Sequence, residues 1–370
     1  DLEILRRRVL DVFISWGFDY VEPPLIEYLD ALLVGSGEDL DLQTLKVVDQ
    51  VSGRQLGVRA DMTSQALRID AHSIPTEGVQ RLCYAGAVVF ANPKNSQSSR
   101  VPLKAGAEIF GAPSLVADAE VIALMLEVMN IAQINQPVLL LGHMGIYRSL
   151  VTHLMDKKIL RQEDQQELFS CIQRKGESDI LNLLGKSEQA QMMAALPNLM
   201  GDISALGEAR KALLKAPLAV GKALDELATL ANMIAIDRSD VDLRIDVSEL
   251  SGYGYHNGPV FAVYHPEHGQ ALAQGGRYDG VGGVFGRSRP ATGFDLSLKQ
   301  LMGTLSYIKP LYFAPYVAEQ ERSGLLAAVA QLRLEGYRVV CALNKGEIAP
   351  KNCAGVLENK LGEWQLTTQS

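Results

Sequence analysis

The order of strand and helix signals constrains this chain most: its strands come in antiparallel pairs and show no regular β-α-β alternation. One hairpin runs through residues 45–59, with Leu45-Lys-Val-Val48 as its first arm, Ser52-Gly53 as the turn and Leu56-Gly-Val-Arg59 as the second arm. A longer one has arms near 81–90 and 101–110, joined by the polar, turn-rich stretch Ala91–Ser99. A third occupies 259–276. Helical patterns cross between them, which argues against a doubly wound parallel sheet. The expected class is α+β, a mixed antiparallel sheet with helices packed on it.

The flanking signals divide the chain. Leu2, Leu5, Val9, Val12 and Trp16 recur at helical spacing before Gly17, and Phe18–Glu22 reads as a strand broken by Pro23-Pro24. A helix is expected from about Thr63 to Ala71, with Asp61 or Thr63 as its cap. Residues 114–134 predict a long helix and 137–141 a strand. From 145 to 236 the pattern is helical with Gly and Pro breaks; a strand follows at 241–247. Gly280–Gly286 reads as a flexible loop, and Ala291–Leu305 as a strand and helix. The tail predicts strand 310–314, helix 319–335, strand 337–343 and two weak strands near 355 and 364. The domains expected are therefore 1–144 with 237–305, a helical insertion at 145–236, and a small α/β piece at 306–370.

Composition excludes several functions. The net charge of −8 argues against gripping a phosphate backbone, and Arg6-Arg7-Arg8 reads as the solvated face of the first helix. The four cysteines lack metal-ligand spacing and suit free thiols in a cytoplasmic protein. No run is apolar enough to span a membrane and no signal peptide is visible. The chain opens on Asp1 inside a helical pattern, so a few native residues are expected before it. No phosphate loop or GxSxG occurs, and Phe285 breaks a GxGxxG reading of the glycines. His265 and His268 lack a third ligand at sensible spacing. Neither cofactor nor metal is expected.

Several segments, in order, resemble the histidyl-tRNA synthetase family. Gly17–Pro24 is similar to the first class II motif, and Val58-Arg-Ala-Asp-Met-Thr63 to an RPEGT-type segment. Arg81–Gly86 and Ala105–Gly111 follow the second motif. Leu250–Phe261 and Gly275-Gly-Arg-Tyr-Asp279 look like the two histidine-specific segments, and Gly293–Leu301 lies where the third motif belongs. The resemblance implies a class II aminoacyl-tRNA synthetase-like antiparallel sheet over about residues 1–305. By resemblance, Asp61 and Thr63 would hold the ammonium group of a histidine ligand, Glu108 would face its imidazole and Tyr278 would close the ring pocket. Lys104 stands in place of a glutamine. His256, beside Tyr255, stands in place of a tyrosine. Plain alternatives are a helix cap at Asp61 and Thr63, a solvent-face carboxylate at Glu108 and a core tyrosine at Tyr278.

Departures from the family decide its expected role. Phe90, Gln300 and Ser251 stand where the family has arginines, and Asn92 stands for an acidic residue. Adenylation needs cations on the ATP phosphates, and losing one preorganised donor costs about 3 kcal/mol. Arg100 or Lys94 is the bland substitute. The residues after 305 also look shorter than the family's anticodon-binding domain. The stretch Gly37–Arg54, continuing into Val58-Arg-Ala-Asp61, resembles the family's inactive relatives that regulate ATP phosphoribosyltransferase. The resemblance therefore implies a non-catalytic subunit of L-histidine biosynthesis. Its partners would be a short-form catalytic subunit and a second copy of itself in a hetero-octamer-like complex. L-histidine is the implied ligand, and no nucleic acid or membrane is expected as a partner.

Overall fold

The computed structural model describes residues 1–370 except 34–37, 75–76, 93–98, 251, 253, 303–308 and 369–370. It contains two compact units, Leu2–Gly303 and Thr304–Ser370.

The larger unit is built on a nine-stranded mixed sheet. In spatial order its strands are Asp19–Tyr20, Gln80–Ala87, Leu103–Phe110, Ala291–Ser297, Ala273–Arg277, Pro259–Tyr264, Val138–His143, Asp242–Asp246 and Met200–Gly201. The outermost strand on each side is only two residues long. The central hairpin keeps unbroken register from Gln80↔Phe110 to Ala87↔Leu103. Helices Leu2–Ser15 and Leu115–Ile131 pack together and against these strands. Leu115–Ile131 is buried around most of its circumference, including Val121, Ile122, Leu124 and Met125, because Leu218–Asp237 also packs against it.

Helices fill most of the chain between Val138–His143 and its parallel neighbour Asp242–Asp246, which explains the helical texture of 145–236. A separate three-stranded sheet places Gln55–Val58 between Ile26–Tyr28 and Leu45–Val48.

Three local expectations need correction. The helix Thr63–Arg68 is preceded by Met62 at the cap position, which gives no side-chain bond, so neither Asp61 nor Thr63 caps it in the usual way. The chain continues as a π-helical turn, Ile69–Ser73. Gly280–Gly286 is no loose loop: Val281–Phe285 forms a 3-10 helix, with Phe285 buried and both flanking glycines at positive φ (80° and 78°). Glycine adopts those angles without the Cβ clash that other residues meet.

In the smaller unit, helix Glu319–Leu334 packs against the sheet Arg338–Cys341, Leu311–Ala314, Cys353–Lys360 and Glu363–Thr368. Leu325, Val329, Tyr312 and Leu357 share its core. The two weak strands are a full hairpin, paired from Gly355↔Thr368 to Lys360↔Glu363. Small and polar residues such as Ala354, Gly355 and Glu358 mute its apolar alternation. Among the described residues no helix is long and apolar enough to cross a membrane.

Candidate ligand site

Side chains two apart on a strand share a face, and so do residues paired across strands. Lys104, Gly106 and Glu108 therefore share one face of Leu103–Phe110. Opposite them on one side stand Gly86, Tyr84 and Leu82, and on the other Ser297, Asp295 and Gly293. Gln274 and Gly276 extend the row onto the next strand. The glycines make room: a Cβ on Gly293 would overlap the Glu108 carboxylate, and one on Gly106 would press within 2.6 Å of the Tyr84 ring.

Glu108 is 1% exposed. Tyr84 donates to its Oε1 at 2.8 Å and Tyr278 to its Oε2 at 2.5 Å. The Thr63 and Tyr84 hydroxyls are bonded at 3.1 Å. Burial pushes the Glu108 carboxyl up to about 8, against the two tyrosine hydrogen bonds that favour its charged form. Burial, then the neighbouring carboxylates, raises Tyr84, Tyr255 and Tyr278 well above the usual phenol range. Tyr278 is both the core tyrosine and the pocket tyrosine of the sequence reading.

Asp61 lies just before the helix Thr63–Arg68. Burial raises its pKa, while the Lys104 charge and the backbone amides of Met62 and Thr63 oppose that rise. Lys104 Nζ is 2.5 Å from Asp295 Oδ2, and each side chain is 17% exposed. Burial alone would lower the lysine, but Asp295 and Asp61 outweigh it and hold Lys104 above its ordinary value.

Tyr255 and His256 complete the enclosure, with ring centroids 4.2 Å apart. The Tyr255 ring stands edge-on to Tyr278 at 5.9 Å. His256 packs over Gly252, where a Cβ would overlap its ring, and its carbonyl accepts from Arg148 Nε at 3.1 Å. Tyr278 itself is positioned by its neighbour Arg277, which is buried with Asp118 at 2.6 Å and reaches the Ala112 and Ser114 carbonyls.

The sequence-derived residues thus fall in one place. Thr63, Glu108, Tyr255, His256 and Tyr278 line one small pocket. Lys104 lines a larger, more open cleft beside it, which shares Gln274 and Asp295 with the pocket. The Asp61 charge acts on Lys104, Tyr255 and Tyr278. Glu108 is no solvent-face carboxylate. Sequence reasoning missed Tyr84, Asp295 and Gln274. Cross-strand register was the signal that could have found the first two, since Gly106 faces Tyr84 on one side and Asp295 on the other.

Phe90 and Gln300 line the cleft. Phe90 packs against the core cluster around Met62 and Tyr278. Gln300 meets Gln270 at 3.5 Å, and Asn92 donates to the Leu42 carbonyl. Arg100 is held by the Phe90 and Ala91 carbonyls. Ser251, Lys94 and Gly37 lie outside the described residues.

The histidyl-tRNA synthetase family model matches residues 1–301, and that of the ATP phosphoribosyltransferase subunit HisZ C-terminal domain matches 313–367. The chain is 44% identical to an ATP phosphoribosyltransferase regulatory subunit of Pseudomonas fluorescens, over 99% of this chain and 93% of that protein. It is 43% identical to one of Chromohalobacter salexigens, with the same coverage. A solved ATP phosphoribosyltransferase regulatory subunit/histidyl-tRNA synthetase from Bacillus halodurans shares the fold with a TM-score of 0.79, at 24% identity over 94% of this chain and 90% of that one. Histidyl-tRNA synthetase from Nostoc does so at 0.75, with 18% identity over 94% and 83%. A class II synthetase-like body followed by the matching C-terminal domain places this chain in the family of ATP phosphoribosyltransferase regulatory subunits.

Proposed function

We propose that this regulatory subunit binds L-histidine in the pocket above Glu108, activates a short-form catalytic ATP phosphoribosyltransferase, and carries feedback inhibition to it. The observation that carries the ligand reading is the Glu108 carboxyl, buried at one end of the pocket between the Tyr84 and Tyr278 hydroxyls. As a carboxylate it accepts from an imidazole N–H; as an acid it donates to the bare ring nitrogen. Asp61, Asp295 and Thr63 supply acceptors for an ammonium group.

The chain itself forms no aminoacyl adenylate on this reading. Phe90 and Gln300 offer no cation to a triphosphate. Arg100 is tied to backbone carbonyls. Each missing donor is worth about 3 kcal/mol at the reacting phosphorus. A pocket that keeps its amino-acid end and loses its phosphate end suits sensing better than catalysis.

The working assembly joins the catalytic subunit to a homodimer of this chain in a hetero-octamer-like complex in the cytoplasm. The ligand-binding domain comprises 1–144 and 237–305, with 145–236 as insertion and 306–370 as a separate tail. Coupling between histidine and the catalytic site is reciprocal in binding free energy. The test is phosphoribosyl-ATP formation by the short-form catalytic subunit, with and without this chain, across a histidine titration. A higher rate that falls with histidine, and falls less in Glu108→Ala, is expected. An unchanged rate and histidine response would overturn the regulatory reading.

A further inference from the structure

Asp295 stands opposite Gly106, one pleat repeat from Glu108 and one from Lys104. That repeat is about 7 Å. An amino acid whose ring rests on Glu108 thus brings its backbone atoms to Asp295, at the border between pocket and cleft. That place holds an ammonium of the protein's own, the Lys104 Nζ, 2.5 Å from Asp295 Oδ2. The two side chains are mostly buried, so the pair is poorly screened by solvent. Lys104 lines the cleft side of that border and not the pocket that holds Glu108.

Resting on the histidine-site reading above, we propose that Lys104 is a built-in stand-in for the ligand's ammonium and becomes the partner of its α-carboxylate on binding. The incoming ammonium takes over Asp295 and Asp61, and the displaced lysine keeps one N–H on the carboxylate. The charge count at the border is then unchanged: one cation leaves the aspartates as another arrives, and the carboxylate neutralises the one that moved. The site accordingly selects amino acids that carry both groups free. It rejects amines that would displace Lys104 and leave it unpaired in a poorly hydrated place.

Calorimetric titration of the full chain with L-histidine and with L-histidinol, which keeps ring and amine but has a hydroxymethyl group for the carboxylate, tests this. The wild type should prefer histidine by about 10- to 100-fold, the worth of a hydrogen bond to a charged group. Lys104→Arg should keep that preference. Lys104→Gln should weaken histidine and tighten histidinol, because Asp295 and Asp61 are then free for the amine. A damaged pocket would weaken both ligands, so this crossing separates the role from misfolding. Equal wild-type affinities, or a preference that survives Lys104→Gln, would overturn the lysine's role and leave the histidine site standing. Failure of the wild type to bind either ligand would remove the histidine site itself, and this inference with it.

Discussion

Replacing Glu108 by glutamine should make the larger unit's stability less sensitive to pH. The carboxyl titrates at about 8 in the folded protein, against an ordinary value of 4.5. Below 4.5 it is neutral whether folded or unfolded, and contributes nothing. As pH rises further, the unfolded chain ionises while the folded one must stay protonated, so each pH unit costs the folded state about 1.4 kcal/mol. The cost is complete once pH passes the folded value, and sums to about 5 kcal/mol over the interval between 4.5 and about 8. Water entering the open pocket relaxes part of it, so about 3–5 kcal/mol is expected. The chain has two tryptophans, and a Trp364→Phe background leaves Trp16 to report on the larger unit alone. Urea unfolding followed by Trp16 fluorescence should give wild type and Glu108→Gln similar stabilities at pH 5, with the variant ahead by several kcal/mol at pH 8.5. Parallel stability curves, or a wild type that gains on the variant as pH rises, would refute the assignment of a buried neutral carboxyl.

Other substitutions test the surrounding frame. Asp118→Asn leaves the buried Arg277 guanidinium with only the more exposed Asp279, at 3.2 Å, as a countercharge; a loss of about 3 kcal/mol is expected by thermal melting, and Asp118→Leu with Arg277→Met should recover much of it. Gly293→Ala pushes a methyl into the Glu108 carboxylate, so calorimetry should find histidine binding lost alongside about 1–3 kcal/mol of stability. Histidine-dependent pyrophosphate exchange into ATP should be absent in the wild type, and a clear signal would show that Phe90 and Gln300 do not disable adenylation.

Hairpin order made the large sheet legible from sequence. A period of 3.6 survives where one helix face is buried, as in Leu2–Ser15 with Leu5, Val9, Leu10 and Phe13 inside, whereas Gln80–Ala87 is buried on both faces and shows no clean alternation. The tail hairpin was faint because the inward positions of Cys353–Lys360 are Cys353, Gly355 and Leu357, of which only the last is strongly apolar, while Val356 faces the other way. Met62 rather than Asp61 takes the cap position; the Asp61 carboxylate accepts from the Met62 and Thr63 amides and also feels the charge of Lys104, a residue distant in sequence that no local pattern reveals. Asp295 escaped notice for the same reason: its pairing with Lys104 spans 191 positions, and only strand register joins them. Glu108 was identified as a residue, yet its protonation depends on two tyrosine hydroxyls and the surrounding burial, none of which a linear pattern carries.

The nine-stranded sheet ends in two-residue strands on both sides, Asp19–Tyr20 and Met200–Gly201. A neighbouring chain that tried to continue the sheet would gain only a bond or two from either end strand. Beside Met200–Gly201, the rest of the adjoining strand carries the exposed charged side chains of Asp242 and Arg244, which discourage a second template for pairing. Growth of this sheet into a shared intermolecular one is thereby disfavoured. A contact made at these two ends then draws its specificity from complementary side-chain surfaces rather than from backbone pairing, and is sensitive to point substitutions in a way that backbone pairing would not be.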